Sequence, residues 1–252
     1  MKQSQFYYLL RRGLFNAGSA IIKNGLVMFN KFTTAGISHP AQGSAEFNGT
    51  SDYIQLNESF SHTNHTIAAW VYNDTASGGQ VVFDNRDTND DGVRILGSSG
   101  TLFYQLNASD RTFTMPTAGN WYFITATYDG SLQKLYLDGS LQTSVVTSQT
   151  IDTTTDATLG RRSYGASDYM NGNLANVAIW NRALTSDEIN SVMWKSYEGL
   201  TGAESNGLQA WYSLDDITSP AASLANMEQL ATDKDATIEN KAAITAAINA
   251  LS

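Results

Sequence analysis

The 252-residue chain contains no cysteine and only three histidines. Without thiols, it can form neither a disulfide framework nor a metal site with thiolate ligands. Charged residues make up only 15% of the sequence, and no apolar run approaches the ~20 residues that a membrane-spanning helix requires. The composition therefore excludes a cysteine-stapled domain and predicts no membrane span.

Short runs rich in Val, Ile, Thr, Tyr and Phe recur along the chain, separated by Asp-Gly, Asn-Gly and Gly-Ser pairs. Apolar runs between such turn-forming pairs are typical of an antiparallel β-sandwich. The length suits one sandwich with extensions, because all-β domains of ~200–250 residues commonly form a single unit. We therefore predict the all-β fold class.

Five strings resemble, in order, the characteristic strings of LamG-like jelly-roll domains in the concanavalin A-like lectin/glucanase superfamily. They are Ala45–Ile54, Thr66–Val71, Asn120–Gly130, Leu135–Gly139 and Gly172–Ile189. The resemblance implies a two-sheet antiparallel jelly-roll sandwich, in which Trp70, Trp121 and Trp180 face the core. In the last string, Thr185 and Glu188 have the spacing of a capping box, which predicts the start of a helical turn.

The resemblance places the sandwich at residues 24–216, between an N-terminal arm (1–23) and a C-terminal extension (217–252). Asn206–Asp216 resembles the family's first strand, which Asn24–Phe32 already supplies. The second copy either pairs within its own sandwich, which we favour, or reaches into another protomer. Apolar residues spaced i, i+3, i+4 and i+7 from Ile244 predict that the extension is helical.

The N-terminal arm combines aromatic and basic side chains, and residues 1–45 contain no acidic residue. Such asymmetry of charge favours an interaction tail. The arm either packs on its own sandwich or anchors the chain to a neighbouring subunit or capsid. Its candidate anchoring residues are Phe6, Tyr7, Tyr8, Arg11 and Arg12. We predict no nucleic-acid partner, because the body of the chain is acidic and repels phosphates.

Arg11 and Arg12 interrupt the N-terminal apolar patch before the apolar core of a signal peptide is complete. A lectin-like domain without a signal peptide suggests release by lysis. We therefore expect a virion-surface location, a phage structural protein as the source, and a homo-oligomer or an array on a capsid.

The loop that contains Asp87, Asn89 and Asp91 reproduces the first half of a D-x-N-x-D-G calcium loop. Ser98 stands where a bidentate glutamate would close such a site, so a solvated hairpin turn is the alternative. The family resemblance implies a structural calcium at Asn48 and Asp52. The closing strand, however, has an alanine where the family usually has an aspartate.

The loop before the closing strand is the candidate ligand site. It combines aromatic rings with planar polar groups, the combination that sugar binding requires, and loops on a rigid sandwich commonly carry binding residues. The candidates are Arg162, Tyr164, Asp168, Tyr169 and Asn171. A tyrosine-rich loop of this kind also suits a protein interface.

No E-x-D-x-x-E string of the kind that the superfamily's glycosidases carry is present, so we expect no enzymatic activity. The first hypothesis is a virion decoration or adhesion protein that contacts other virion or surface-assembly subunits and binds host glycans weakly. The alternative is a dedicated carbohydrate-binding lectin of a bacterial surface or secreted assembly. A glycoside hydrolase is the third candidate.

Overall fold

The computed structural model describes residues 43–75, 77–107, 109–151 and 153–214. The predicted N-terminal arm, the candidate first strand and the predicted helical extension lie outside these residues. This includes the anchoring candidates Phe6, Tyr7, Tyr8, Arg11 and Arg12. The predictions for both ends of the chain therefore stay predictions.

The described residues form two antiparallel sheets, which confirms the predicted sandwich. The strands are β1 (Ala45–Asn48), β2 (Ile54–Gln55), β3 (His65–Asn73), β4 (Gly79–Asp84), β5 (Val93–Ser98), β6 (Thr101–Leu106), β7 (Ser109–Thr114), β8 (Trp121–Tyr128), β9 (Leu132–Leu137), β10 (Ser140–Val146), β11 (Thr158–Leu159), β12 (Asn171–Trp180) and β13 (Leu208–Tyr212). The seven-stranded sheet has the order β1-β12-β3-β8-β9-β10, with β13 also paired to β12, and the six-stranded sheet has the order β2-β11-β4-β5-β6-β7.

The closing strand β12 organises the seven-stranded sheet. One side of β12 pairs with β3 along most of its length, and the other side pairs first with β1 and then with β13. The two short strands therefore lie end to end against one long strand. The prediction that the Asn206–Asp216 segment pairs within its own sandwich is confirmed for the described strand β13.

Apolar side chains between the two sheets form the main core, because alternate residues of each strand point inward. This core includes Phe47, Phe83, Tyr104, Ile124 and Leu174. A second apolar cluster lies on the outer face of the seven-stranded sheet.

Helix α1 (Ser186–Val192) covers that second cluster, which includes Trp70, Trp180 and Trp211. The predicted capping box is confirmed. The Thr185 side chain accepts from the Glu188 amide, and the Glu188 side chain accepts from the Thr185 amide. A 3₁₀ helix (Tyr197–Gly199) follows, and neither of these helices is long and apolar enough to cross a membrane.

Candidate functional site

The loop between β11 and β12, residues 160–170, lies against β4 and the turn that follows it. The Ser163 hydroxyl donates to the carbonyl of Arg86, and the Ser163 amide donates to the carboxylate of Asp84 at 3.4 Å. The Arg161 guanidinium lies 3.6 Å from the centroid of the Tyr53 ring. These contacts hold the first half of the loop in place. The candidate ligand residues fall into two groups, one in a charged network and one in a cleft.

Tyr164 belongs to a charged network on the six-stranded sheet. Its hydroxyl donates to the Asp90 carboxylate at 2.9 Å, and a guanidinium nitrogen of Arg86 lies 3.1 Å from the same carboxylate oxygen. Burial and the hydrogen bond to Asp90 both raise the pKa of Tyr164. Tyr164 therefore ties its loop to the turn after β4, and it is not among the residues that line the cleft described below.

Asp84 is the buried centre of this network. It is fully buried, and the guanidinium groups of Arg86 and Arg94 lie 3.8 and 4.0 Å from its carboxylate oxygens. Arg94 also donates to Gln105 at 2.6 Å on the neighbouring strand. Burial raises the pKa of Asp84 to about 6 in spite of both arginines.

The second group of candidates lines an open cleft of about 480 Å³ at one end of the sandwich. Three separate segments meet there: the turn after β1, the turn before β4, and the end of the loop before β12. The cleft is lined by Asn48, Gly49, Thr50, Thr75, Ser77, Gly78, Gly79, Gln80, Asp168, Tyr169 and Asn171. Asp168, Tyr169 and Asn171 were predicted from the sequence, and most of the other lining residues were not.

Gln80 connects two of the three segments, the turn before β4 and the start of β12. Its side chain is 4% exposed. Its Oε1 accepts from the Asn171 amide at 2.6 Å, and its Nε2 donates to the Ser77 carbonyl at 3.0 Å. Nothing in the sequence indicates this role, because it depends on the register between strands that are far apart in the chain.

Asp168 is fixed between two neighbours. Its carboxylate pairs with Arg162, and its carbonyl accepts from the Val81 amide at 3.2 Å. A Cβ atom on Gly79 would stand 2.2 Å from the Asp168 Oδ1, so only glycine leaves room for the carboxylate there. Arg162 also lies 5.9 Å from the centre of the Tyr164 ring, and it therefore links the cleft to the charged network.

Two of the candidate calcium ligands accept backbone hydrogen bonds within their own turns. Asp87 Oδ1 accepts from the amides of Asn89 and Asp91 at 2.8 and 3.0 Å, an arrangement that closes the hairpin turn itself. Asn48 Oδ1 accepts from the three amides of residues 50–52. Within the described residues, no group of three or more His, Asp or Glu side chains could hold a metal ion. The calcium prediction for these residues stays a prediction.

Comparison with known proteins agrees with this architecture. A laminin G family model, described as the concanavalin A-like lectin/glucanases superfamily, matches residues 48–190. No significant match was found among curated proteins.

Two solved structures illustrate the likeness in fold. One is a candidate carbohydrate-binding protein from Bacteroides ovatus, 17% identical, with a TM-score of 0.58 over 71% of this chain and 53% of that one. The chain thus spans about half the length of that protein. The other is the CBM40 domain of the Ruminococcus gnavus IT-sialidase bound to α2,3-sialyllactose, 14% identical, with a TM-score of 0.50 over 60% of this chain and 97% of that one.

The family match covers more than half of the chain, from the last residue of β1 into helix α1. It includes the strands that support the cleft and the loop that closes it. The chain belongs to the concanavalin A-like lectin/glucanases superfamily.

Proposed function

We propose that the chain is a carbohydrate-binding lectin domain whose binding site is the cleft at the end of the sandwich. One observation carries this proposal. The cleft is lined by Tyr169, Asn48, Asn171, Thr50 and Asp168, residues whose side chains carry an aromatic ring, two amides, a hydroxyl and a carboxylate.

This set of groups suits the chemistry of a sugar. An aromatic ring can pack against the apolar C–H face of a pyranose, while a few well-placed polar groups orient its hydroxyls. The Arg162 ion pair and the neighbouring backbone hold Asp168 in place, which lowers the entropy lost when it accepts a hydrogen bond from a hydroxyl.

The similar structures favour this proposal over the virion-surface hypothesis. The Ruminococcus gnavus domain binds a sialylated glycan, and the Bacteroides ovatus protein is a candidate carbohydrate-binding protein. The virion hypothesis was based on the two ends of the chain, which lie outside the described residues, and it has no support from these relatives.

We infer that the domain binds without catalysis. Glycoside hydrolysis commonly uses two carboxyl groups on either side of the bond that breaks. Among the described residues that line the cleft, Asp168 supplies the one carboxylate, and Arg162 is paired with it.

We also infer that binding does not depend on calcium. The side-chain oxygens of Asn48 and Asp87 already accept backbone hydrogen bonds within their own turns. We expect equal glycan affinity and an equal melting temperature in calcium and in EDTA. A loss of affinity or a lower melting temperature in EDTA would support the calcium prediction.

A glycan array followed by calorimetric titration tests the site. We expect the wild-type chain to bind at least one glycan saturably and Tyr169→Ala to weaken that binding by about tenfold, since burying an aromatic ring against a ligand is worth on the order of 1.4 kcal/mol.

Tyr197→Ala is the matched control, because Tyr197 is 38% exposed on the 3₁₀ helix and does not line the cleft. Tyr164→Ala should have little effect on affinity. If Tyr169→Ala and Tyr197→Ala bind as the wild type does, the cleft is not the binding site.

A further inference from the structure

A row of four side chains crosses the outer face of the seven-stranded sheet near the cleft. The strand register places Glu46 opposite Asn173, Asn173 opposite Tyr72, and Tyr72 opposite Trp121. The four residues lie on β1, β12, β3 and β8, which are consecutive in the sheet. Neighbouring residues in such a row are ~5 Å apart, so the four side chains form one continuous strip.

These side chains point away from the main core. In β1, Ala45 and Phe47 are buried in that core while Glu46 is exposed between them. Tyr72 follows the core residue Val71 and is partly exposed. Trp121 is also partly exposed and packs against the second apolar cluster. Trp70 and Trp180 are buried in that cluster, so none of the three tryptophans that were predicted to face the core lies in the main core between the sheets.

The two rings form a firm aromatic surface. Their centroids are 5.6 Å apart and their planes meet at 50°. Trp121 packs against the edge of the second apolar cluster, which restricts its rotation. Asn173 donates to the Ser44 hydroxyl at 3.1 Å, so the amide beside the rings is also held in place.

We propose that Glu46, Asn173, Tyr72 and Trp121 form a second sugar subsite, which extends the cleft so that the domain binds an oligosaccharide of several pyranose units. This inference rests on the proposed function of the cleft. The rings offer a surface for the C–H face of a sugar, and the amide and carboxylate beside them offer hydrogen bonds to its hydroxyls.

The subsite continues directly from the cleft. Asn48 and Asn171, which line the cleft, face each other two residues further along the same strands as Glu46 and Asn173. Two residues of strand and two strand spacings separate Asn171 from Trp121 by about 12 Å. That distance is longer than one sugar ring, so a single chain of linked sugars can occupy both places.

The charge of the strip favours an uncharged glycan. Glu46 is exposed and acidic, and the whole chain carries a net charge of −9. Within the four-residue strip there is no cation to pair with a carboxylated sugar. We therefore assign neutral oligosaccharides to the extended site.

The test uses the full chain and an array of neutral glucose, xylose, mannose and galactose oligomers, from disaccharides to hexasaccharides. Calorimetry then follows with the series that binds best. We expect the wild-type affinity to rise with length, and Trp121→Ala to weaken hexasaccharide binding by about five- to tenfold with little change for the disaccharide. Trp121→Phe should retain most of the affinity for the hexasaccharide.

Tyr169→Ala separates this proposal from the previous one, because it should weaken binding of both lengths. Binding that needs Tyr169 but does not change with Trp121→Ala or with oligomer length would overturn the second subsite alone. An array on which no neutral oligomer binds would overturn the extended neutral site alone if a charged glycan still binds at the cleft. The absence of binding to any glycan, neutral or charged, would overturn both proposals. If Trp121→Ala lowers the melting temperature, Tyr72→Ala and Asn173→Ala provide the same comparison at positions outside the second apolar cluster.

Discussion

Two buried ionisable side chains give the stability of the sandwich opposite responses to pH. His65 is buried, and its Nε2 lies 2.7 Å from the Tyr104 hydroxyl. Burial lowers the pKa of His65 from 6.5 to about 4. Burial also raises the pKa of Asp84 from 3.8 to about 6. Both side chains are therefore held more nearly neutral in the folded protein than in the unfolded chain.

The sign of each contribution follows from where the proton binds more tightly. The folded state binds the His65 proton less tightly, so this contribution is complete above about pH 6.5 and is lost as the pH falls toward 4. The folded state binds the Asp84 proton more tightly, so this contribution is complete below about pH 4 and is lost as the pH rises toward 6. Each contribution to the free energy of unfolding amounts to roughly 3 kcal/mol. Between about pH 4 and pH 6 the two contributions change in opposite directions, so they largely cancel.

Single substitutions should reveal the two contributions. On acidification from pH 7 to pH 4, we expect the free energy of unfolding of Asp84→Asn to fall by roughly 3 kcal/mol more than that of the wild type, because only the contribution of His65 remains. Over the same range, the free energy of unfolding of His65→Gln should rise relative to that of the wild type by a similar amount, because only the contribution of Asp84 remains. Urea unfolding of the three proteins at both pH values measures this, and identical pH profiles would show that neither side chain has a shifted pKa.

Glu188 has two roles that substitutions can separate. It caps helix α1 through the Thr185 amide and accepts two hydrogen bonds from Arg182 at 2.8 and 3.0 Å. We expect Glu188→Ala to lower the free energy of unfolding by about 1–2 kcal/mol, since both interactions are lost.

Glu188→Gln should lower the free energy of unfolding by less than about 1 kcal/mol, because glutamine retains the capping box and loses only a partly exposed ion pair. Denaturant unfolding of both variants gives the comparison. Equal losses would mean that the cap contributes nothing.

At the scale of elements, strand β12 connects the cleft, the second subsite and the second apolar cluster. The start of β12 requires a glycine at position 172. Gly172 has φ +147°, and a Cβ atom there would stand 2.0 Å from the carbonyl oxygen of Tyr72. A side chain at this position would separate β12 from β3.

Gly172→Ala should therefore destabilise the protein by about 3 kcal/mol or more, at the upper end of single-substitution effects. Gly202→Ala is the control, because its Cβ would meet no atom within 4 Å and its backbone is not in the positive-φ region. The change at Gly202 should stay within about 0.5 kcal/mol. Thermal unfolding of both variants tests the difference, and similar melting temperatures would contradict the close approach of the two strands.

The sequence was sufficient to predict these elements but not how their ends meet. The string from Gly172 to Trp180 predicts the closing strand, and the structure has β12 at Asn171–Trp180. Tyr164 and Tyr169 lie five positions apart in one loop, yet they reach different surfaces, because the Tyr164 hydroxyl finds Asp90 in a distant turn. Periodicity shows which face of a strand is buried, but it does not show which loops will be neighbours.

Trp121 illustrates the same limit. Its position in a family string predicted a residue of the core, but it begins a strand at the edge of the second apolar cluster, where it is only partly buried. Only the cross-strand register reveals that Tyr72 lies beside it and that Asn173 and Glu46 continue the same row.

In the described sandwich as a whole, the proposed glycan site lies at one end. Strands β3, β8 and β12 carry three residues of the proposed second subsite, and loops between strands line most of the cleft. The attachment of the domain to larger assemblies and its location were predicted from the ends of the chain, and both stay predictions.

Amide chemical shifts of the ¹⁵N-labelled full chain, measured during titration with the tightest-binding glycan of the array, test whether the cleft is the glycan site. We predict that the largest shifts fall on Asn48–Thr50, Gly78–Gln80 and Asp168–Asn171, and continue to Tyr72 and Trp121 for long oligomers. Shifts confined to the network around Asp84 and Arg94, or spread without focus over both sheets, would contradict the assignment of the cleft as the glycan site.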